Sequence, residues 1–137
     1  MRRASCLLLL PLCLCAALVR GEARSEALAV YTIEQAKAGA ALYPNQCGAC
    51  HGPEMEGLSG PALTGPDFRQ MMAEQGRTAA SLLDVIRQTM PYDAPGMYPD
   101  EQYDDITAYI LSRMGYPAGS EKLEPNNPHL TELKLGP

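Results

Sequence analysis

A chain of 137 residues holds one domain, and its 11 Lys and Arg stand against 16 Asp and Glu, a formal net charge of −5. That balance disfavours nucleic acid and anionic membrane surfaces as partners and favours basic protein patches. Trp is absent and Phe68 is the single Phe. Seven tyrosines supply part of the bulk that a core of this size needs, and a large apolar cofactor would supply more.

At the start of the chain, Arg2 and Arg3 precede an apolar run from Leu7 to Val19 and then small residues. This is the layout of a cleaved secretory signal peptide over residues 1–23, cut after Ala23 or, as second choice, after Ala17. The run falls short of the ~20 apolar residues that a membrane span needs. Export to the periplasm is therefore expected, with no stable membrane span after cleavage. Cys13 and Cys15 follow leucines rather than a small residue, which argues against a lipid anchor. Cleavage removes Cys6, Cys13 and Cys15, leaving Cys47 and Cys50. It also removes Arg2, Arg3, Arg20 and Glu22, so eight basic and fifteen acidic residues remain, a net charge of −7.

Thr32 and Gln35 form a capping-box pattern, and Ile33, Ala36, Ala40 and Tyr43 follow at helical spacing, so a helix is expected over 33–43, ended by Pro44 and Asn45. The Gly- and Pro-rich stretch that follows, to Phe68, reads as loop with one short helical turn at the cysteines. Thr78 opens a second helix with an apolar face of Leu82, Leu83, Val85 and Ile86, stopped by Pro91. A third begins near Asp100, its early acids favourable to the helix dipole. Tyr103, Ile106, Ala108, Tyr109, Ile110 and Leu111 form its buried side, and Gly115 and Pro117 terminate it. No stretch reads as a strand. The expected fold is all-α: three main helices with Gly/Pro-rich loops, in a domain over 24–119. The polar, proline-containing tail over 120–137 is expected to be extended along the surface or disordered.

The chemistry is carried by Cys47-Gly-Ala-Cys50-His51, a C-x-x-C-H motif. Two thiols three positions apart lie about one helical turn apart and can both reach one planar ring, adding to the two vinyl groups of haem. The adjacent histidine can then turn its imidazole to the iron, which is the c-type haem attachment signature. A zinc site would need two further ligands, and His129, in the tail, is the one other histidine. A thioredoxin-like pair would want a βαβ setting, and a structural disulfide remains possible in an exported chain. The second axial position calls for a methionine, since Met/His ligation is a standard haem pair that raises the potential. Met55 follows His51 too closely, Met71 and Met72 lie in a segment with no evident constraint, and Met114 reads as packing. Met90 and Met97 remain, both in the proline-rich stretch QTMPYDAPGMYPDEQ.

These residues resemble the class I c-type cytochromes, and most closely the small mono-haem cytochrome domains and subunits of bacterial periplasmic quinoprotein (alcohol and sugar) dehydrogenases. The resemblance spans about residues 31–119. It rests on Cys47-Gly-Ala-Cys50-His51, Gly60-Pro-Ala-Leu-Thr-Gly65, Met90-Pro-Tyr-Asp-Ala-Pro-Gly96 and Ala108-Tyr-Ile-Leu-Ser-Arg-Met-Gly-Tyr-Pro-Ala-Gly119. It implies a cytochrome c fold around one haem c, covalently held by Cys47 and Cys50. The implied iron ligands are His51 and Met90, with Met97 as the alternative to Met90. Pro61 would accept from the imidazole N–H, Leu63 would pack on the ring, and Gly39 and Tyr43 would meet Ile106 and Tyr109 where two helices cross. The chain departs from the family pattern at Met97, Pro99 and Met114; Pro99 is expected at the first helical position with no side-chain cap.

The resulting expectation is an electron-transfer protein with no catalytic residues. It would serve as acceptor subunit or shuttle for a periplasmic dehydrogenase, with a terminal oxidase or another cytochrome as further redox partner. The alternative is a five-coordinate or ligand-exchanging haem protein acting as gas sensor or haem enzyme, a choice set by distal polarity and access.

Overall fold

The computed structural model describes residues 28–136; the expected signal peptide lies outside them. The described residues form an all-α fold without strands. Its helices are α1 (Ile33–Gln46), α2 (Gly48–His51), α3 (Pro66–Glu74), α4 (Ala79–Thr89), α5 (Asp100–Arg113) and α6 (His129–Glu132).

The capping box read from the sequence at Thr32 acts as expected. The Thr32 hydroxyl accepts from the Gln35 amide, and the Gln35 side chain accepts from the Thr32 amide. Thr78 and Ser81 repeat this reciprocal pattern at α4. Pro99 stands at the N-cap of α5, one position before the expected one, without a side-chain cap. Asp100 and Glu101 supply negative charge in the first turn instead.

Two helical boundaries differ from expectation. α1 continues through Pro44 to Gln46. Proline forfeits only its own N–H bond, and the Cys47 amide still closes on the Tyr43 carbonyl at 2.9 Å. The stretch expected as loop before Thr78 contains α3, with Pro66 in its first turn and Asp67 beside it. Phe68 and Met72, four residues apart, bury one face of it.

α1 and α5 cross with almost no space between them. A Cβ on Gly39 would stand 2.0 Å from the Asp105 carbonyl oxygen and 2.8 Å from the Tyr109 Cβ, so only glycine permits this approach. One turn further along, the Tyr43 and Tyr109 rings meet edge to face with centroids 5.6 Å apart. Between α4 and α5, Arg87 pairs with Asp104 at 2.8 Å in a largely buried position.

The tail is neither loose nor superficial. Leu123, Leu130, Leu133 and Leu135 are all buried. The buried Gln35 side chain donates to the Leu123 carbonyl at 2.9 Å and accepts from its amide at 2.8 Å. Farther on, the Ala79 amide donates to Leu133 O and the Leu135 amide to Arg77 O, in register with a single antiparallel bridge between Thr78 and Lys134. The four leucines are spaced irregularly among prolines and charges, so no periodicity marks them as buried; the partners that bury them are remote in sequence.

Gly39→Ala is expected to force α1 and α5 apart and cost about 3 kcal/mol, the upper part of the range for overpacking a close contact; a denaturation midpoint indistinguishable from the parent would contradict it. Asp104 makes a second prediction. Burial raises its carboxyl to about 6 despite the attraction of Arg87. Because the folded state holds this proton more tightly than the unfolded chain, whose ordinary value is 3.8, stability gained from Asp104 grows as pH falls from about 6 toward 4 and is lost as pH rises through 6. The difference in unfolding free energy between parent and Asp104→Asn should therefore change across that window by on the order of 2 kcal/mol, and a pH-independent difference would rule this out.

Candidate functional site

The site begins at the junction of α1 and α2. The Cys47 carbonyl accepts from the Cys50 amide at 3.1 Å and the His51 amide at 2.9 Å, which coils the whole motif into a single turn. The Tyr43 hydroxyl donates to the Gly52 carbonyl at 3.0 Å and so ties the end of α2 back to α1. The chain then wraps over the same turn. Leu58 and Gly60 amides both reach the Cys50 carbonyl, and the Gly57 amide reaches the His51 carbonyl at 2.8 Å. Gly60 passes directly against the imidazole, where a Cβ would lie 3.0 Å from Cε1 of His51.

This wrap delivers the Pro61 carbonyl to His51 Nδ1 at 2.8 Å. A carbonyl can only accept, so Nδ1 carries the hydrogen and Nε2 keeps its lone pair for a metal. His51 is buried and Cys47 half-buried, while Cys50 is exposed. Burial, and then the neighbouring Cys50, push the Cys47 thiol up to about 11. A thiol so held stays protonated at neutral pH and makes a poor thiolate ligand or disulfide nucleophile. No disulfide joins Cys47 to Cys50. Among the described residues, no group of three or more His, Cys, Asp or Glu side chains is gathered that could hold a metal ion.

Met90 arrives from the other side of the fold. It caps the C-terminus of α4 with an extended backbone, φ −120 and ψ 149, as expected of a residue before proline. Its carbonyl accepts from the Tyr103 hydroxyl at 2.9 Å, and that same hydroxyl accepts from the Tyr98 amide at 3.3 Å. Tyr103 of α5 therefore anchors the proline-rich segment at two points. From the sequence it reads only as a buried helical residue, because nothing in its local pattern tells where its hydroxyl goes.

All six residues named from the sequence, Cys47, Cys50, His51, Pro61, Leu63 and Met90, border one cavity of about 820 Å³. Its walls are largely apolar, with Phe68, Leu82, Ile86, Ile106 and Ile110 among them. The volume and lining suit a flat, mostly apolar group, and His51, whose Nε2 keeps a lone pair, borders the same space. Met97 does not border the cavity and is 59% exposed. Met55 and Met114 are buried elsewhere. Met71 and Met72 do border it, which the sequence reading missed along with α3 itself; the Phe68–Met72 spacing and the Pro66-Asp67 start are the signals that could have found them.

Among the described residues, no helix is long and apolar enough to cross a membrane. The chain matches no curated protein. Among solved structures it is similar to the sulfane dehydrogenase SoxCD from Paracoccus pantotrophus, with a TM-score of 0.54 and 24% identity over 91% of this chain and 68% of that one, a likeness that bears on fold alone. Residues 34–110, more than half of the chain, match the family described as cytochrome C oxidase, cbb3-type, subunit III. With C-x-x-C-H, the His51–Pro61 bond and the methionine-lined cavity already in place, this match establishes the chain as a member of that family and a class I c-type cytochrome, a family that uses haem c for electron transfer.

Proposed function

We propose that this chain is an exported, periplasmic mono-haem cytochrome that carries single electrons by outer-sphere transfer, as the acceptor subunit or shuttle of a periplasmic dehydrogenase. The observation that supports it most is the His51 arrangement. Nδ1 is committed to Pro61, so Nε2 is free, and the ring borders the same cavity as both cysteines and Met90. Haem, when bound, would supply a one-electron iron couple.

The chain's own residues would do the rest. Cys47 and Cys50 would hold the group covalently by addition of each S–H across a vinyl double bond. His51 and Met90 would offer an imidazole nitrogen and a thioether sulfur to the iron, with Tyr103 fixing the segment that carries Met90. Aliphatic walls would exclude water and lower the local dielectric, which favours the less charged reduced site. Two protein ligands on the iron would leave no place there for substrate, which supports a carrier over a gas sensor or haem enzyme. The dehydrogenase partner rests on the sequence resemblance across residues 31–119, and the acidic surface suits a basic docking face on it.

Two outcomes are expected. In the ferric protein, Met90→Ala should abolish the weak red methionine–iron charge-transfer band and let the ferrous protein bind CO, whereas Met97→Ala, Met71→Ala and Met72→Ala should keep the band; loss of it in one of those three with Met90→Ala unaffected would reassign the ligand. Electron transfer to a basic redox protein should slow as salt rises from 0.01 M to 0.15 M, where the Debye length shrinks from ~30 Å to ~8 Å. A salt-independent stopped-flow rate would remove the electrostatic part of the proposal.

A further inference from the structure

Met90 opens a loop with two stems. The loop leaves the C-terminus of α4 at Met90 and enters α5 at Asp100. Such a loop keeps much of its freedom unless its ends are tied together. Arg87, in the last turn of α4, reaches across the neck of this loop. One terminal nitrogen lies 2.8 Å from Asp104 Oδ1 and 3.4 Å from the Asp100 carbonyl, and the other lies 3.8 Å from the Asp100 carboxylate. A single guanidinium thus joins the helix before the loop to the first two turns of the helix after it. The loop itself bends back to the same place. The Gly96 amide donates to the Met90 carbonyl at 3.3 Å, and a Cβ on Gly96 would lie 4.0 Å from the Arg87 carbonyl.

The pair is a poor source of net stability. The Arg87 and Asp104 side chains are 18% and 10% exposed, and Arg87 Nε is buried with no hydrogen-bond partner. Burial raises the Asp104 carboxyl to about 6, against the pull of Arg87 and with the help of Asp100 and Asp105. A buried pair whose desolvation is so incompletely repaid adds little to folding, while its charged hydrogen bond still fixes geometry. Neither residue borders the cavity. Any effect on the iron must pass through the loop, and the route is short. Asp104 follows Tyr103, whose hydroxyl holds the Met90 carbonyl at 2.9 Å and accepts from the Tyr98 amide at 3.3 Å. Adjacent positions of α5 therefore tie the loop twice, at its neck and in its interior.

We propose that Arg87 and Asp104 form a clasp on the neck of the 90–99 loop and set how readily Met90 leaves the iron. They are positioning residues, an assignment that rests on Met90 being an iron ligand. A carrier of single electrons needs the same ligands before and after transfer. A clasp outside the cavity holds Met90 in place without adding a polar group to the apolar wall.

The test uses the full haem-loaded protein above about pH 7, where Asp104 is ionised. Stopped-flow mixing of the ferric protein with saturating imidazole reads how fast the methionine–iron band is displaced. Arg87→Gln and Asp104→Asn should each speed displacement about tenfold, because each loses a charged hydrogen bond across the neck. The Arg87→Gln/Asp104→Asn double variant should add little to either, since both act through one bond. The Met90 and Gly96 amides should exchange hydrogen faster in these variants, while the Gly57 and Gly60 amides on the histidine side keep the parent's rates. A merely structural role would lower the denaturation midpoint and leave displacement at the parent's rate, and that result overturns the clasp. Fully multiplicative effects in the double variant overturn it too. A band that persists in Met90→Ala would instead overturn the ligand reading beneath it. If Arg87→Gln does not fold, Asp104→Asn decides, because burial already favours a neutral group there: faster displacement is expected, and a parent-like rate with parent-like Met90 and Gly96 exchange is the contrary result.

Discussion

Everything in this molecule hangs on the contact between the backbone of Gly39 and that of Asp105. It sets α1 and α5 at a separation that no side chain tolerates. From that crossing, α1 leads directly into the turn that carries Cys47, Cys50 and His51, and α5 carries Tyr103, whose hydroxyl holds Met90. A shift of even a fraction of an ångström at the crossing would be passed to both sides of the cavity, because packed interiors do not deform smoothly.

The two halves of the site are organised by different means. On the histidine side, order comes from local backbone hydrogen bonds: the loop after α2 folds over its own preceding turn, and Pro61 selects the tautomer of His51. On the methionine side, order comes from proline stiffness and from one distant hydroxyl. The first mechanism is encoded within about fifteen residues of sequence, and the second needs α5 to be docked. Loss of docking would therefore loosen the Met90 segment before the His51 turn.

The carboxy-terminal strap adds a third constraint. By burying four leucines and bonding to Gln35, Arg77 and Ala79, it braces α3 and α4, whose inner faces complete the cavity wall. A domain of this size with one Phe and no Trp has little spare core, and the strap supplies apolar area that the aromatic residues do not. Gln35 also serves two elements at once, since its side chain caps α1 and pairs with Leu123.

How much of this was legible depends on how far apart the interacting residues lie. The all-α class, the capping box at Thr32, the helix start at Thr78 and the C-x-x-C-H turn follow from signals a few residues long, because helical periodicity, capping and haem-attachment spacing are local properties of the chain; Pro61, Leu63 and the choice of Met90 came from the family resemblance. α3 was missed because the surrounding Gly and Pro mask a single short apolar face. The burial of the tail, the anchoring hydroxyl of Tyr103 and the place of Arg77 in the cavity wall were decided only by tertiary structure. Each depends on a partner between 13 and 88 residues away, and no local pattern records which distant group will arrive to satisfy a leucine, a hydroxyl or a backbone carbonyl.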